Sequence, residues 1–226
     1  IVRPTFEEYP NRLKLEQIVT YQAQCPNFSY SADDLMTYFA DKDIESLLLI
    51  NPDNPTGNYI PYADCLRLAD WCQQRNILFV LDESFIDFSV EHPTFFKDDI
   101  LEQYSNLVVI KSISKSYGVP SLRLGILATS NVDVMTVIRR SVSIWNINSF
   151  AEFFLQILGK YEASYQQAMD EFRAERARFV DELHKVSFLR VLPSEANYLL
   201  CEVKQPHTPR ELAIRLLKDY DILIKD

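Results

Sequence analysis

Glu45–Gly57 reads ESLLLINPDNPTG: a run of aliphatic residues leads straight into a loop stiffened by two Asn-Pro steps and closed by Gly57. An apolar run without alternation is the pattern of a strand buried on both faces, and such strands belong to parallel sheets covered by helices. The layout returns downstream. Ile77–Leu81 (ILFVL) leads into DESF, and Leu107–Lys111 (LVVIK) leads into SISK, so three strands each deliver a polar segment at the carboxyl end. A further strand is expected at Gln17–Gln22 (QIVTYQ).

Helices fill the intervals. Ser31-Ala-Asp-Asp is a capping-box start, with Asp34 three residues after Ser31, and Pro61 suits the first position of a helix running to about Arg75. On that second helix Cys65, Leu68, Ala69 and Cys72 share one stripe, which makes the two cysteines core residues. Alternating strands and helices predict an α/β fold, a mostly parallel sheet with helices on both faces, whose ligands bind beyond the carboxyl ends of the strands. After about Asn148 the pattern changes to long helices, Phe150–Tyr161 and Tyr165–Lys185. Strands are then expected at Phe188–Leu192, Asn197–Cys201 and Ile222–Ile224, with a helix from about Pro209 to Asp219. We therefore expect a large domain over residues 1–160 and part of a smaller α+β domain over 161–226.

Composition narrows the function. The 226 residues are 47% hydrophobic and 24% charged, the balance of a globular chain, and the formal charge of −9 provides no basic surface for nucleic acid. Cys25, Cys65, Cys72 and Cys201 lack CxxC spacing, and His92, His184 and His207 lie far apart, so neither a disulfide scaffold nor a metal site is expected. No apolar run approaches the ~20 residues of a membrane span and no signal peptide opens the chain, which points to a soluble, cytoplasmic protein. The start at IVRPTF, without Met, and the stop at DILIKD read as cuts through a longer protein. Glycine is scarce: there are four, where about 7% would give roughly 16. Gly57, Gly118 and Gly125 fall inside the polar motifs, so the chemistry is sought there.

Ser112–Gly125 reads SISKSYGVPSLRLG. Ser112 and Ser114 offer hydroxyls, Arg123 a fork of donors suited to phosphate, and Lys115 an amine whose neutral form attacks carbonyls to form a Schiff base. Pyridoxal 5'-phosphate is an aldehyde with a phosphate attached, and fits both functions. Asp82, at the end of an apolar strand, would pair with its pyridine nitrogen and keep it protonated. Asn54, in the stiff loop, would donate its amide hydrogen to the ring oxygen. ILFVLDE also looks like a magnesium-binding strand of a nucleotide hydrolase, but no GxxxxGK[ST] or GxGxxG loop accompanies it.

NPDNPTG, LDESF and SISKSYGVPSLRLG, in this order and spacing, resemble the class I/II pyridoxal-phosphate aminotransferases of fold type I. They look most like the branch containing histidinol-phosphate aminotransferase and threonine-phosphate decarboxylase. RPTFEEY, WNINSFAE and SEANYLL extend the likeness along the chain. The resemblance implies that Lys115 carries the cofactor and moves the proton, Asp82 pairs with the ring nitrogen and Asn54 contacts the ring oxygen. It implies that Ser112, Ser114 and Arg123 hold the phosphate. It further implies an amino donor and a 2-oxo acid as substrates, a homodimer, and in some members a fused domain such as a nucleotidyltransferase.

Two departures qualify the likeness. Phe85 stands where many such enzymes have a tyrosine that donates to the ring oxygen, a feature shared with the decarboxylase side of the branch. The segments that supply a ring-stacking aromatic, a further phosphate contact and an arginine for the substrate carboxylate are expected to lie outside this chain. Weak cofactor binding and little turnover are therefore expected of the chain by itself. Transamination is the first reading and decarboxylation the near alternative. A non-catalytic effector or dimerisation domain is the alternative from another class.

Overall fold

The computed structural model describes residues 1–24 and 26–226; Cys25 lies outside the described residues. Four strands form the central sheet in the order β3 (Ser46–Ile50), β4 (Leu78–Asp82), β5 (Leu107–Ser112) and β6 (Gly125–Ala128). The first three are parallel; Leu49 lies beside Leu81 and Ile50 beside Asp82, so β3 and β4 end level, and β5 runs two residues past Ile110, the partner of Asp82, to Ser112. β6 returns antiparallel and sets Gly125 against Ser112.

The apolar runs serve two faces, as expected of doubly covered strands. Leu47, Leu49, Phe79, Leu81, Leu107 and Val109 point to one side, where helices α1 (Ala32–Phe39) and α2 (Tyr62–Gln74) pack Leu35, Phe39, Leu68 and the Cys65–Cys72 stripe onto them. The capping box forms: Ser31 Oγ accepts from Asp34 N, and the Asp34 carboxylate accepts from Ser31 N at 2.8 Å. Leu48 and Ile50 point to the other side and meet Phe85, Phe88, Met169 and Phe172. The last two belong to the long helix α6 (Glu162–His184), which follows α5 (Ser149–Leu158). The short α3 (Asp98–Gln103) precedes β5, and α4 (Val132–Ser141) follows β6.

Beyond α6, β7 (Leu189–Val191) pairs antiparallel with β8 (Cys201–Val203), and α7 (Pro209–Tyr220) follows, its N-cap Thr208 accepting from Glu211 N. Several expected elements shift. Leu15–Gln17 is a single 3₁₀ turn pinned by the Gln17 side chain on Lys14 N at 3.2 Å. Of the Gln17–Gln22 strand only β2 (Tyr21–Gln22) remains, paired with β1 (Val2–Arg3) apart from the main sheet. The Asn197–Cys201 strand begins instead at Cys201, because Asn197 and Tyr198 lie in a loop tied to the Asn51–Gly57 segment. Among the described residues Ile222–Ile224 has no strand partner, and it is exposed.

An apolar surface runs over the segment before α5 and along that helix. Ile144 is 96% and Trp145 89% exposed, Phe150 and Phe153 face outward, and only Ala151 of the helix is buried. No helix among the described residues is long and apolar enough to cross a membrane.

Candidate active site

At the carboxyl ends of β3, β4 and β5 opens a cleft of about 610 Å³, and Asn54, Asp82, Ser112, Ser114, Lys115 and Arg123 all line it. Parallel strands bring this about: the three loops leave the same, carboxyl edge of the sheet side by side.

The Asn51–Gly57 loop divides its two asparagines between different tasks. Asn51 is buried and bonds Ile60 twice, through Nδ2 to the carbonyl at 2.8 Å and through Oδ1 from the amide at 2.9 Å. Asn54 lines the cleft, and its amide makes no hydrogen bond among the described residues. Between them Asp53 accepts from Thr56 Oγ1 at 2.5 Å; burial pushes its carboxyl up to about 7 against that bond. Tyr198 O–H donates to the Asp53 carbonyl at 2.6 Å, and Glu195 N to the Gly57 carbonyl at 3.0 Å. The SEANYLL segment thus braces the loop from behind.

Asp82 ends β4 at 7% exposure, with Oδ1 accepting from Ser84 N at 2.8 Å and Oδ2 from Tyr9 O–H at 2.5 Å. Glu83 points elsewhere: its carboxyl accepts from Phe95 N at 2.8 Å and Thr94 Oγ1 at 2.6 Å, and burial pushes it up to about 7. Phe85 forms part of the cleft wall, edge-on to Tyr198 at 5.0 Å between ring centroids.

Lys115 lies on the turn after β5, exposed toward the cleft, with Nζ 4.9 Å above the Phe85 ring. Ser112 N donates to Ser84 Oγ at 2.9 Å, which ties the β5 end to the β4 loop. Ser114 is buried, with Oγ 3.4 Å from the Leu124 carbonyl. Arg123 takes the left-handed backbone (φ +57°), sparse for a non-glycine residue, and donates from Nη1 to the Pro120 carbonyl at 3.1 Å. This turn and the Ser112–Gly125 pairing bring Arg123 back beside the serines.

Tyr9, Phe6, Ser84 and Lys111 also line the cleft and escape the sequence reading. Phe6 and Tyr9 set two aromatic rings on the cleft wall, where the sequence reading expects a ring-stacking aromatic from outside this chain. Burial, the Asp82 charge and the bond to it push the Tyr9 phenol far above its ordinary value. The sequence signal for Tyr9 was only its place in RPTFEEY, because the partner stands 73 residues away.

The whole chain, residues 1–226, matches the family model described as aminotransferase class I and II. The chain belongs to the class I and II aminotransferases. Among curated relatives, the CMP-5'-(3-aminopropyl)phosphonate synthase of Streptomyces rubellomurinus is 32% identical over 99% of this chain and 35% of its own length. The threonine-phosphate decarboxylase of Salmonella typhimurium is 36% identical over 75% of this chain and 47% of its own. The chain thus spans less than half the length of either. A solved histidinol-phosphate aminotransferase from Clostridium acetobutylicum matches with a TM-score of 0.85 at 26% identity, over 99% of this chain and 66% of that one.

Membership in this aminotransferase family implies pyridoxal 5'-phosphate as the cofactor. The donor set fits it. A buried carboxylate suits a protonated ring nitrogen, an amine suits the aldehyde, and two hydroxyls with a guanidinium suit the phosphate. Asn54 adds a side-chain amide, without a hydrogen-bond partner among the described residues, for the ring oxygen.

Proposed function

We propose that this chain forms the cofactor-binding part of a pyridoxal-phosphate enzyme that transfers an amino group between a small amino acid or phosphorylated amine and a 2-oxo acid. The observation that carries the reading is the convergence of Asp82, Lys115, Ser112, Ser114 and Arg123 on one cleft from three separate loops. When bound, the cofactor supplies an electron sink conjugated with the substrate's amino group. Lys115 Nζ would hold its aldehyde carbon and move the proton at the substrate's Cα. Asp82, oriented by Ser84 N and Tyr9 O–H, would keep the ring nitrogen protonated. Arg123, Ser112 and Ser114 would fix the phosphate, Asn54 would bond the ring oxygen, and the Phe85 and Tyr9 rings would shield the reacting face from water.

Decarboxylation of a phosphorylated amino acid is the second reading. It is favoured by Phe85, which offers the ring oxygen no donor, and by similarity to the threonine-phosphate decarboxylase and to an L-serine phosphate decarboxylase of Campylobacter jejuni, 28% identical over 98% of this chain. We further propose a cofactor-binding unit over residues 1–160 with the start of a smaller domain at 161–226, a homodimer, and cytoplasmic residence with Cys65, Cys72 and Cys201 as free thiols. A parent protein carrying a fused domain accords with the larger size of the phosphonate synthase.

The test is to add pyridoxal phosphate, reduce with borohydride and locate the modified residue by mass spectrometry. Label confined to Lys115, and none on that peptide in Lys115→Ala, is the expected result. Label scattered over surface lysines would sink the reading and favour a non-catalytic effector domain. Incubating the loaded protein with O-phosphothreonine, with and without 2-oxoglutarate, then separates the two reactions: glutamate formation marks transamination, carbon dioxide release decarboxylation.

A further inference from the structure

Between the cleft wall, where Lys111 stands, and helix α6, a buried polar cluster joins the Lys115 turn to that helix. Asp87, in the 3₁₀ turn after β4, accepts from Lys111 Nζ through Oδ1 at 2.6 Å, with side chains only 17% and 13% exposed. Its carbonyl accepts from Arg173 Nη1 of α6 at 2.8 Å. Its other carboxylate oxygen, Oδ2, is buried with no hydrogen-bond partner among the described residues, and so are Ser116 Oγ and Tyr165 O–H. Burial pushes the Tyr165 phenol far above its ordinary value; Ser116 acts against that rise and Asp87 adds to it, so both groups lie within reach of the hydroxyl. A buried polar atom left unpaired is destabilising, so each is poised to find a partner. Two rotatable hydroxyls and a carboxylate can satisfy one another directly or through a single bridging water.

The rings add a second tie. Tyr117 and Tyr165 stack with centroids 4.1 Å apart and planes 7° from parallel. Ser116 and Tyr117 directly follow Lys115, on a turn closed by Gly118 N on the Lys115 carbonyl at 3.1 Å and Val119 N on the Ser114 carbonyl at 3.0 Å. The lysine is thus held from both sides, by Lys111 and Asp87 before it and by Ser116 and Tyr117 after it, and both holds end on α6.

We infer that Tyr165, which does not line the cleft, is a positioning residue for Lys115: its ring and hydroxyl latch the turn that aims the lysine Nζ. The inference rests on Lys115 being the residue that carries the cofactor. It assigns α6 a part in directing the reactive amine as well as in packing.

Tyr165→Phe keeps the stack and removes the hydroxyl, Tyr165→Leu removes both, and Ser116→Ala removes the opposite hydroxyl. Hydrogen exchange by mass spectrometry, without cofactor, reads the turn directly. Amides of Ile113–Val119 should exchange about fivefold faster in Tyr165→Phe and Ser116→Ala, because either change removes a hydroxyl that would bridge to Asp87 Oδ2 directly or through a water, and faster still in Tyr165→Leu, while Leu78–Asp82 stays unchanged. The rate of borohydride-trapped labelling of Lys115 should fall by a similar factor. Unchanged exchange in all three variants, or faster exchange spread evenly over the chain, overturns the latch. If wild-type Lys115 takes no label while the exchange pattern appears as described, the cofactor reading fails and the latch on the turn stands.

Discussion

Gly57 and Gly118 both stand at positive φ, +76° and +64°, in two loops that border the same cleft, yet their surroundings are opposites. A Cβ at Gly57 would lie 2.2 Å from Ser194 Oγ and 2.8 Å from Ser194 Cα; at Gly118 it would meet nothing within 4 Å. The first loop is scaffold, locked by Asn51, Tyr198 and Glu195 until its one cleft-facing amide, Asn54, has a fixed place. The second is held only from its inner side, and Lys115 and Arg123 are left exposed on the outer one. Rigid support and open chemistry are thus divided between two loops, which spares the reactive side chains from competing protein partners.

Alanine at the two glycines tests that division most strongly. Gly57→Ala combines left-handed strain with a backbone clash and should lower unfolding free energy by about 3 kcal/mol or more in urea titration, against about 1 kcal/mol for Gly118→Ala, where strain acts alone. Equal losses would break the comparison. The asparagines sharpen it within one loop. Asn51→Ala should cost about 2–3 kcal/mol, because both of its bonds to Ile60 serve buried backbone. Asn54→Ala should leave the urea midpoint unmoved and weaken pyridoxal phosphate binding by about tenfold, the worth of one hydrogen bond to a charged oxygen. A stability loss at Asn54 would place it in the scaffold instead.

The scaffold also carries a pH signature. Glu83 and Asp53 have carboxyls raised to about 7 by burial, so the folded chain keeps protons that the unfolded chain releases near 4.5 and 3.8. Their contribution to stability is full below those lower values and is lost as pH rises through about 7. The melting temperature should therefore fall between pH 5 and 8 in the wild type, and by less in Glu83→Gln; parallel curves would count against burial as the cause. The smallest effect is expected on the cleft wall. Phe85→Tyr should leave stability almost unchanged and move the pH midpoint of the bound cofactor's absorbance downward, by adding a donor to the ring oxygen. An unmoved midpoint would show that the new hydroxyl does not reach that oxygen.

The sheet was legible because strands buried on both faces announce themselves: β3, β4 and β5 fall within a residue or so of the runs that predict them. The loops after them were legible because proline, glycine and lone charges mark where such runs stop. β6 was missed, since Gly125–Ala128 is short and its glycine already belonged to the phosphate motif. Ile222–Ile224 misled for the converse reason, an apolar triplet with no neighbour to pair with. Tyr9 was invisible as a site residue because its partner Asp82 stands 73 residues away, and Tyr165 because the Tyr117 ring it stacks on lies 48 residues before it, and an aromatic carries no local mark of which neighbour it will meet.

The exposed apolar belt around Ile144, Trp145 and Phe150 should give the chain a salt-dependent solution behaviour. With a net charge of −9, copies repel one another at low ionic strength, where the Debye length is about 30 Å at 0.01 M. Added salt shortens that range to about 8 Å at 0.15 M and leaves the attraction between the belts intact. Turbidity should therefore rise on moving from dilute to physiological buffer, a salting-out at concentrations where most acidic globules stay clear, and Trp145→Lys should delay its onset.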